Sequence, residues 1–172
     1  SGGPDSLALL LLAQQAAPGR IAAATVDHGL RPEAAAEAAM VAGIARQLGV
    51  PHATLRPEAP ISGSVQAAAR AVRYRLLEAW RAAEALDWVL TAHHADDQAE
   101  TLLMRLNRGA GVGGLAGIRA VNGRILRPLL GWRRAELAAV VAAAGVEPVE
   151  DPSNRDHRFD RARLRTALGR AD

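Results

Sequence analysis

The stretch Ser1-Gly2-Gly3-Pro4-Asp5-Ser6 decides the fold, because it joins a glycine turn directly to the start of an apolar helix. The two glycines carry no Cβ, so the backbone can turn tightly and aim consecutive N–H groups at phosphate oxygens. Both serines add hydroxyl donors, the helix adds the positive end of its dipole, and Asp5 suits Mg²⁺ bridging a phosphate chain. The hexapeptide predicts a phosphate-binding loop, although by itself a glycine turn with Asp5 and Ser6 as a helix cap fits equally well.

Outward from this loop, helices and short apolar strands alternate along the chain. Apolar spacing and capping residues predict helices over residues 5–15, 33–48, 64–86, 96–107 and 132–144. Apolar runs predict strands over 21–26, 51–55 and 87–91, and Asn122-Gly123 predicts a hairpin between 118–121 and 124–126. This alternation predicts a single α/β domain over residues 1–172, with a doubly wound, mostly parallel sheet and helices on both faces.

Polar side chains follow two of the predicted strands at the point where each strand ends. Asp27 and His28 follow the first strand, and the block from His93 to Thr101 follows the third. Ligands of such sheets bind beyond the carboxyl ends of the strands. We therefore expect both groups to converge on one crevice.

The helix within the second block carries two carboxylates at helical spacing. Asp97 and Glu100 lie three residues apart, so both can face the crevice, while we expect Leu102, Leu103 and Leu106 to face inward. Two carboxylates suit Mg²⁺, an ammonium group, or deprotonation of that group. The alternative is an acidic helix start that is stabilised by the helix dipole.

The composition narrows the chemistry that the chain can perform. There is no Lys, which excludes a Walker-type phosphate loop and Schiff-base chemistry by the chain's own residues. There is no Cys, which excludes disulfides, thiolate zinc sites and persulfide carriers. The net charge of +3 comes from arginines, which suit phosphate and permit an anionic partner. No apolar run approaches the roughly 20 residues of a membrane span and no signal peptide is seen, so we expect a cytoplasmic protein without a membrane partner.

Further motifs follow the glycine loop in a fixed order. They are Asp27-His28-Gly29-Leu30-Arg31, His93-His94-Ala95-Asp96-Asp97-Gln98-Ala99-Glu100-Thr101, Arg108-Gly109-Ala110-Gly111 with Gly114-Leu115, Arg127-Pro128-Leu129, and Glu150-Asp151-Pro152-Ser153-Asn154. In these motifs and their order the chain closely resembles the catalytic domain of the tRNA(Ile)-lysidine synthetases, a PP-loop family. The resemblance runs from Ser1 to about Arg165, and the histidine and acidic block is its most specific part.

The resemblance implies a two-step reaction on the wobble cytidine of a CAU-anticodon isoleucine tRNA. The cytosine O2 attacks the α-phosphate of ATP and releases pyrophosphate, and the side-chain amine of free lysine then attacks C2 and expels AMP. ATP and Mg²⁺ are the implied cofactors, and tRNA(Ile) and free L-lysine are the implied partners. A chain without Lys can catalyse this reaction because lysine is the substrate.

Site residues follow from the same resemblance. The implied catalytic residues are Asp5, Arg73, Asp97 and Glu100, with Asp5 and Asp97 as Mg²⁺ ligands. The implied ATP-binding residues are Ser1, Gly2, Gly3, Pro4, Asp5, Ser6, Asp27 and His28. Arg73 would stabilise charge on the transferring phosphate, whereas Arg70 and Arg75 fit a solvated helix face. Whether Asp96 joins Asp97 and Glu100 in the lysine and metal region stays open. His28, His93 and His94 could bind adenine, orient carboxylates or cap strand ends.

RNA contacts are predicted on the arginines beside the glycine-rich loop and on the tail. Arg105 and Arg108 flank residues 108–117, which fit either a loop near the nucleotide or anticodon or a disordered loop. Arg155 lies in the arginine-rich tail, which fits either RNA-backbone contact or a solvated helix face.

The match to the family is incomplete at both ends. We expect a strand before Ser1 and RNA-binding domains after residue 172, so the stretch is interpreted as part of a longer gene product. A homodimer is one oligomeric state that we consider for it. The alternatives are another PP-loop pyrophosphatase, such as a thiolase, which typically relies on Cys, or a nucleotide-binding module without catalysis.

Overall fold

The computed structural model describes residues 1–29, 32–58, 65–109, 111 and 116–149. Within these ranges the helices are α1 (Pro4–Ala16), α2 (Ala34–Gln47), α3 (Val65–Ala83), α4 (Ala95–Asn107) and α5 (Arg134–Ala143). The strands are β1 (Ala23–Val26), β2 (His52–Leu55), β3 (Val89–Leu90), β4 (Val121–Asn122) and β5 (Ile125–Leu126). The predicted cap at Ser64 and the whole tail from residue 150, Arg155 included, lie outside the described residues.

Every predicted helix and strand is confirmed to within a few residues, with one shift in the hairpin. Asn122 pairs with Ile125, so the turn consists of Gly123 and Arg124 rather than Asn122-Gly123. Gly123 adopts a positive φ of 57°, which glycine accepts without steric cost. No helix in the described part of the chain combines the length and apolar character needed to cross a bilayer.

The sheet consists of two parts. In the first part β1 and β2 are parallel, with Ala23 opposite His52 and Val26 opposite Leu55. The second part has the order β3-β5-β4, in which β3 and β5 are parallel and β4 joins antiparallel through the hairpin. Short apolar strands separated by helices favour parallel pairing through crossover connections. In each part, the carboxyl ends of the parallel strands therefore lie at the same edge, as in other α/β domains.

The main core lies between α1 and α5. Leu7, Ala8, Leu137 and Val141 are buried there with Leu129, and Ile44 of α2 packs against the same cluster. Full burial of a leucine side chain contributes about 1.5–3 kcal/mol. This core fixes the start of α1, which carries the glycine loop, relative to the start of α5. On its own side of the domain, α3 contacts both β1 and β3.

Helix α4 is oriented opposite to the prediction. Leu102, Leu103 and Leu106 were expected to face inward, but they are exposed by 39%, 36% and 50%. The inward face instead carries Asp97 and Glu100, both buried. The physical reason is that Asp97 finds polar partners on this face. It accepts the backbone N–H of His94, the N-cap of α4, at 3.1 Å, and the His94 ring beside it reaches Asp5 of α1.

A cavity of about 910 Å³ lies between the two parts of the sheet. Its walls are the edges of β1 and β3, apolar residues of α1, and Leu77 and Trp80 of α3. Ala23 and Asp27 donate their N–H groups toward β2, and Val89 and Thr91 donate theirs toward β5. Since neighbouring residues of a strand point their N–H groups to opposite sides, those of residues 24, 26 and 90 point toward the cavity. The cavity has the position and the backbone donors expected of a slot for one more parallel strand.

The cavity can accept one more parallel strand paired to β1 and β3, and Ser1 lies among its lining residues. In hydrogen exchange, the amides of Ala24, Val26 and Leu90 should gain at least about tenfold protection when a strand-forming segment is joined to Ser1, since pairing removes them from solvent. An extension of equal length with alternate prolines is the control, since it cannot form the ladder. Equal exchange in all chains would show that the slot is not a strand site.

Candidate functional site

The glycine loop ends in a helix start that no side chain caps. Gly3 is the N-cap of α1, with φ −72° and ψ 158°, and Pro4 occupies the first turn. The Ser1 and Ser6 hydroxyls are 2.9 Å apart and close the loop. The interpretation of Asp5 and Ser6 as a helix cap is therefore wrong. The first-turn N–H groups of a helix lack intrahelical partners, so this start suits an anion.

The two loop glycines have different structural roles. Gly2 is buried, and its carbonyl accepts a hydrogen bond from the N–H of Val149 at 2.9 Å. A Cβ at Gly2 would lie 2.8 Å from Met40 Cε and 3.1 Å from Val149 Cγ2. At Gly3 the nearest atom is Ser1 Oγ at 4.0 Å. Gly2 is thus required for close packing of the backbone, whereas Gly3 faces open space.

His94 lies at the centre of an acidic cluster. Its ring is buried, with Nε2 3.5 Å from Asp5 Oδ2 and 3.6 Å from Asp97 Oδ2. On the other side of the ring, Nδ1 is 3.4 Å from Asp96 Oδ2. Burial alone would lower the pKa of His94, but Asp5, Asp97 and Asp96 outweigh it, so the pKa is raised. The cluster joins α1 to α4 although their sequences are about 90 residues apart.

Asp96 connects this cluster to α5. Its Oδ2 accepts a hydrogen bond from the backbone N–H of Arg134, the first residue of α5, at 2.9 Å. The N–H of Ala95 donates to the carbonyl of Trp132 at 2.8 Å. The pKa of Asp96 is lowered: burial opposes this, but the Arg134 N–H and His94 outweigh it. Asp96 therefore positions two helix starts, a role that the sequence left open.

Asp27 is held by its own structural partners. Its Oδ1 accepts from the N–H of Gly29 at 2.9 Å and its Oδ2 from Arg56 Nε at 3.0 Å. The Gly29 hydrogen bond, with Arg56, lowers the pKa of Asp27. Sequence reasoning missed Arg56, because nothing local marks a partner 29 residues away. Asp27 shapes the turn that presents His28.

His28 and Arg73 lie at the carboxyl end of the large cavity, where Ser1, Gly2 and Ser6 also line it. The Nδ1 atom of His28 is buried without a hydrogen-bond partner. Burial and the nearby Arg73 lower the pKa of His28, so its ring is neutral at pH 7. Desolvation of the guanidinium lowers the pKa of Arg73, but arginine keeps its charge at neutral pH. Arg73 is thus the cation beside the glycine loop.

Arg70, which lies about one helical turn before Arg73, is exposed, as predicted. Arg70 stacks over the ring of Tyr74 at 5.1 Å and donates to its hydroxyl at 3.4 Å. Arg75 is exposed as well. Arg73 is exposed too, but of these three arginines it is the one that lines the cavity beside Ser1 and Gly2.

His93 lies between the two charged regions. Its Nδ1 is 3.0 Å from Thr91 Oγ1. Burial lowers the pKa of His93 to about 4; Asp97 opposes the shift, while Arg127, Arg70 and Arg73 add to it. His93 is therefore neutral at pH 7 and responds to charges from both the acidic cluster and Arg73.

The sequence-predicted residues fall into two adjacent groups. Asp5 and Asp97 meet at His94, and Glu100, 2% exposed, lies one turn beyond Asp97 on the same buried face. Arg73 and His28 lie instead with Ser1, Gly2 and Ser6 at the cavity. Asp5 and Ser6 are consecutive, so the first turn of α1 separates the two groups. A single crevice lined by all four predicted catalytic residues stays a prediction.

Asp5 and Asp97 are the residues of the acidic cluster that could hold a magnesium ion. The Oδ1 atom of Asp5 is buried without a hydrogen-bond partner, so a hard oxygen donor is available beside Asp97. Magnesium sites commonly use one or two carboxylates with water and phosphate oxygens. Among the described residues no group of three or more His, Asp or Glu side chains has the geometry of a metal site.

Gln98 fixes the end of the glycine-rich loop. Its Nε2 donates to the Ile118 carbonyl at 2.7 Å, and its Oε1 accepts from the Ile118 N–H at 2.6 Å. Arg105 Nη1 contacts the Gly117 carbonyl at 3.5 Å, and Arg108 is exposed. Residues 110 and 112–115 of the loop lie outside the described residues. Arg105 thus supports the loop, and the predicted RNA contacts of Arg105 and Arg108 stay predictions.

A family model described as PP-loop domain matches residues 1–171. The chain belongs to the PP-loop domain family. It is 57% identical to a tRNA(Ile)-lysidine synthase of Novosphingobium aromaticivorans, over 98% of this chain and 54% of that protein. It is 50% identical to the synthase of the same name from Zymomonas mobilis, over 98% of this chain and 54% of that protein. The PP-loop chain thus spans about half the length of the curated relatives it matches.

A solved structure agrees with the PP-loop fold. The U34-tRNA thiolase NcsA from Methanococcus maripaludis superposes with a TM-score of 0.79, over 99% of this chain and 65% of that chain. At 15% sequence identity this likeness concerns the fold alone. Together with the family match it confirms the predicted α/β class, with helices on both faces of a mostly parallel sheet. Membership in the PP-loop family also implies ATP as the nucleotide.

Gly2→Ala should destabilise the fold by about 1–3 kcal/mol, because the added methyl overlaps Met40 and Val149 in a packed site. Gly3→Ala is the matched control, and its free energy of unfolding should stay within about 0.5 kcal/mol of wild type. Urea unfolding followed by circular dichroism measures both. Equal destabilisation by the two substitutions would contradict the assignment of different roles.

His93 should make folding stability depend on pH between about 6.5 and 4. The unfolded histidine binds its proton near pH 6.5 and the folded one only near pH 4, so its contribution is complete above pH 6.5 and is lost as the pH falls. His93→Gln should therefore reduce the loss of stability between pH 7.5 and pH 5 in urea titrations. An unchanged pH dependence in the variant would show that His93 titrates normally in the folded state.

Proposed function

We propose that this PP-loop domain is the catalytic domain of a tRNA(Ile)-lysidine synthase. It would use ATP and free L-lysine to modify C2 of the wobble cytidine, position 34, of the CAU-anticodon isoleucine tRNA. The observation that carries the proposal is the meeting of Asp5, from the glycine-loop helix, with Asp97, from the histidine and acidic motif, at His94. The 50–57% identity to proteins of that name supports it. Such an activity belongs where tRNA is found, in the cytoplasm.

The glycine loop and Arg73 would bind the triphosphate. The uncapped start of α1 offers backbone N–H groups to phosphate oxygens, and the paired Ser1 and Ser6 hydroxyls lie at the same place. Arg73 and His28 face this region from α3 and from the end of β1. In the first step the cytosine O2 bonds to the α-phosphorus while the bond to pyrophosphate breaks. Arg73 would stabilise the negative charge on the transferring phosphate.

Asp5 and Asp97 would hold the magnesium ion, which when bound neutralises phosphate charge. The buried Asp5 Oδ1 is the free donor on the loop side. Asp97 supplies a carboxylate on the α4 side, where Oδ2 is already fixed by the His94 N–H. The first turn of α1 thus lies between the phosphate region and the acidic cluster.

Asp97 and Glu100 would bind the amine of lysine in the second step. The ε-amine bonds to C2 of the adenylated cytidine, the C2–O bond breaks, and AMP leaves with the electron pair. The nitrogen must lose a proton, and the two buried carboxylates on one helix face are suited to bind the ammonium and accept that proton. Burial strengthens this electrostatic attraction because water screens it less. A homodimer stays a prediction that bears on none of these roles.

The two steps should respond differently to two substitutions in the full-length protein. At saturating Mg²⁺, Asp97→Asn should abolish lysine transfer while leaving ATP binding largely intact, since Asp97 faces the amine and Asp5 still offers a carboxylate to the ion. Asp5→Asn should suppress pyrophosphate release with ATP and tRNA even before lysine is added, by about a hundredfold or more, because its carboxylate is lost at the phosphates. Radiolabelled lysine transfer to a CAU-anticodon tRNA, measured beside pyrophosphate release, separates the two effects.

Glu78→Gln is the control for both substitutions. Glu78 is a surface carboxylate that pairs with Arg81 on α3, so its loss should change neither step. Wild-type lysine transfer by Asp97→Asn would overturn the assignment of the amine site. Pyrophosphate release without any lysine transfer by the wild-type protein would favour another PP-loop pyrophosphatase.

A further inference from the structure

We propose that His94 is a positioning residue that sets the distance between the carboxylates of Asp5 and Asp97. The inference rests on the proposed function, because it assigns a role in the same metal and nucleotide site. His94 would touch neither phosphate nor lysine. It would act through the two carboxylates that lie within 4 Å of its Nε2 atom.

The separation of these carboxylates depends on the ring because the two helices have little other contact. Helix α1 packs mainly against α5, and α1 and α4 share no extensive packing among the described residues. His94 is 1% exposed, so its ring is part of the packed interior. The Nε2 atom is the shared neighbour of Asp5 on α1 and Asp97 on α4. Removing it would take away a shared neighbour that lies between the partly exposed Asp5 carboxylate and the buried Asp97 carboxylate.

The ring itself is held from its opposite edge. Its Nδ1 atom faces Asp96 Oδ2, and that oxygen also accepts the N–H of Arg134 at the start of α5. The backbone of His94 is fixed as well, because its N–H donates to Asp97 and the next residue, Ala95, donates to Trp132. Helix α5 packs against α1, and its first N–H binds Asp96. Asp96 contacts His94, and His94 contacts Asp5 of α1, so these contacts form a closed circuit. Such outer partners keep metal-binding carboxylates in register.

Two isosteric substitutions separate the two edges of the ring. The amide of Gln reaches the position of the histidine Nε2, so His94→Gln keeps a donor between Asp5 and Asp97 and loses the contact with Asp96. The amide of Asn reaches the position of Nδ1, so His94→Asn keeps the contact with Asp96 and leaves the two carboxylates without a spacer. The roles proposed for the two edges therefore predict opposite behaviour of the variants.

The first readout needs no catalysis. Calorimetry on the full-length protein measures binding of a non-hydrolysable ATP analogue over a series of Mg²⁺ concentrations. His94→Asn should raise the Mg²⁺ concentration for half-maximal analogue binding by about tenfold or more, whereas His94→Gln should stay within about threefold of wild type. His52→Gln is the control, since His52 bonds to Thr25 on the β1–β2 pair and should leave the Mg²⁺ requirement unchanged.

The second readout is pyrophosphate release with saturating tRNA. His94→Asn should lower kcat and leave the KM for tRNA unchanged, and extra Mg²⁺ should restore part of the rate. Equal losses of melting temperature and activity in both His94 variants, with an unchanged Mg²⁺ requirement, would show a merely structural histidine and overturn the proposal. If wild type transfers no lysine but His94→Asn still shifts the Mg²⁺ requirement, the positioning role stands and the proposed function fails.

Discussion

The burial of carboxylates on the inward face of α4 is the constraint on which the rest of the site depends. An ionised carboxylate removed from water costs several kcal/mol unless hydrogen bonds and opposite charge compensate it. Asp97 receives the His94 N–H and lies beside the His94 ring, whose pKa is raised by the acidic groups around it. A helix that buries Asp97 and Glu100 must turn its leucines outward, which is why Leu102, Leu103 and Leu106 are exposed.

The architecture delivers this cluster by bringing helix starts together. The starts of α1, α4 and α5 each carry the positive end of a helix dipole, which favours acidic groups nearby. Asp5 lies in the first turn of α1, and Asp96 and Asp97 lie in the first turn of α4. The Arg134 N–H at the start of α5 is satisfied by Asp96. Three helix starts thus share three acidic side chains, and the core between α1 and α5 keeps them in place.

The sequence was sufficient for the elements and for the residue types of the site, but not for their pairing. Apolar periodicity located each helix, and the strand-end rule located the histidine and acidic block. Periodicity defines a stripe without saying which face is buried, so the leucine stripe of α4 was placed inward incorrectly. The pairs Asp27 with Arg56 and Asp96 with Arg134 join residues 29 and 38 positions apart, and no local pattern marks such partners. The role of His94 stayed open for the same reason, since it depends on contact with Asp5, which is about 90 residues away in the sequence.

The separation of the site into two groups has a chemical reason. The proposed phosphate region needs donors and positive charge, which the uncapped start of α1, the serine hydroxyls and Arg73 would provide. The proposed amine region needs acceptors and negative charge, which Asp97 and Glu100 would provide. Mixed in one volume, these groups would neutralise one another as ion pairs and lose their ability to bind substrate. Asp5 and Ser6 are consecutive in the first turn of α1, but Asp5 belongs to the acidic group and Ser6 to the phosphate group. The helix backbone therefore keeps the two environments adjacent but separate.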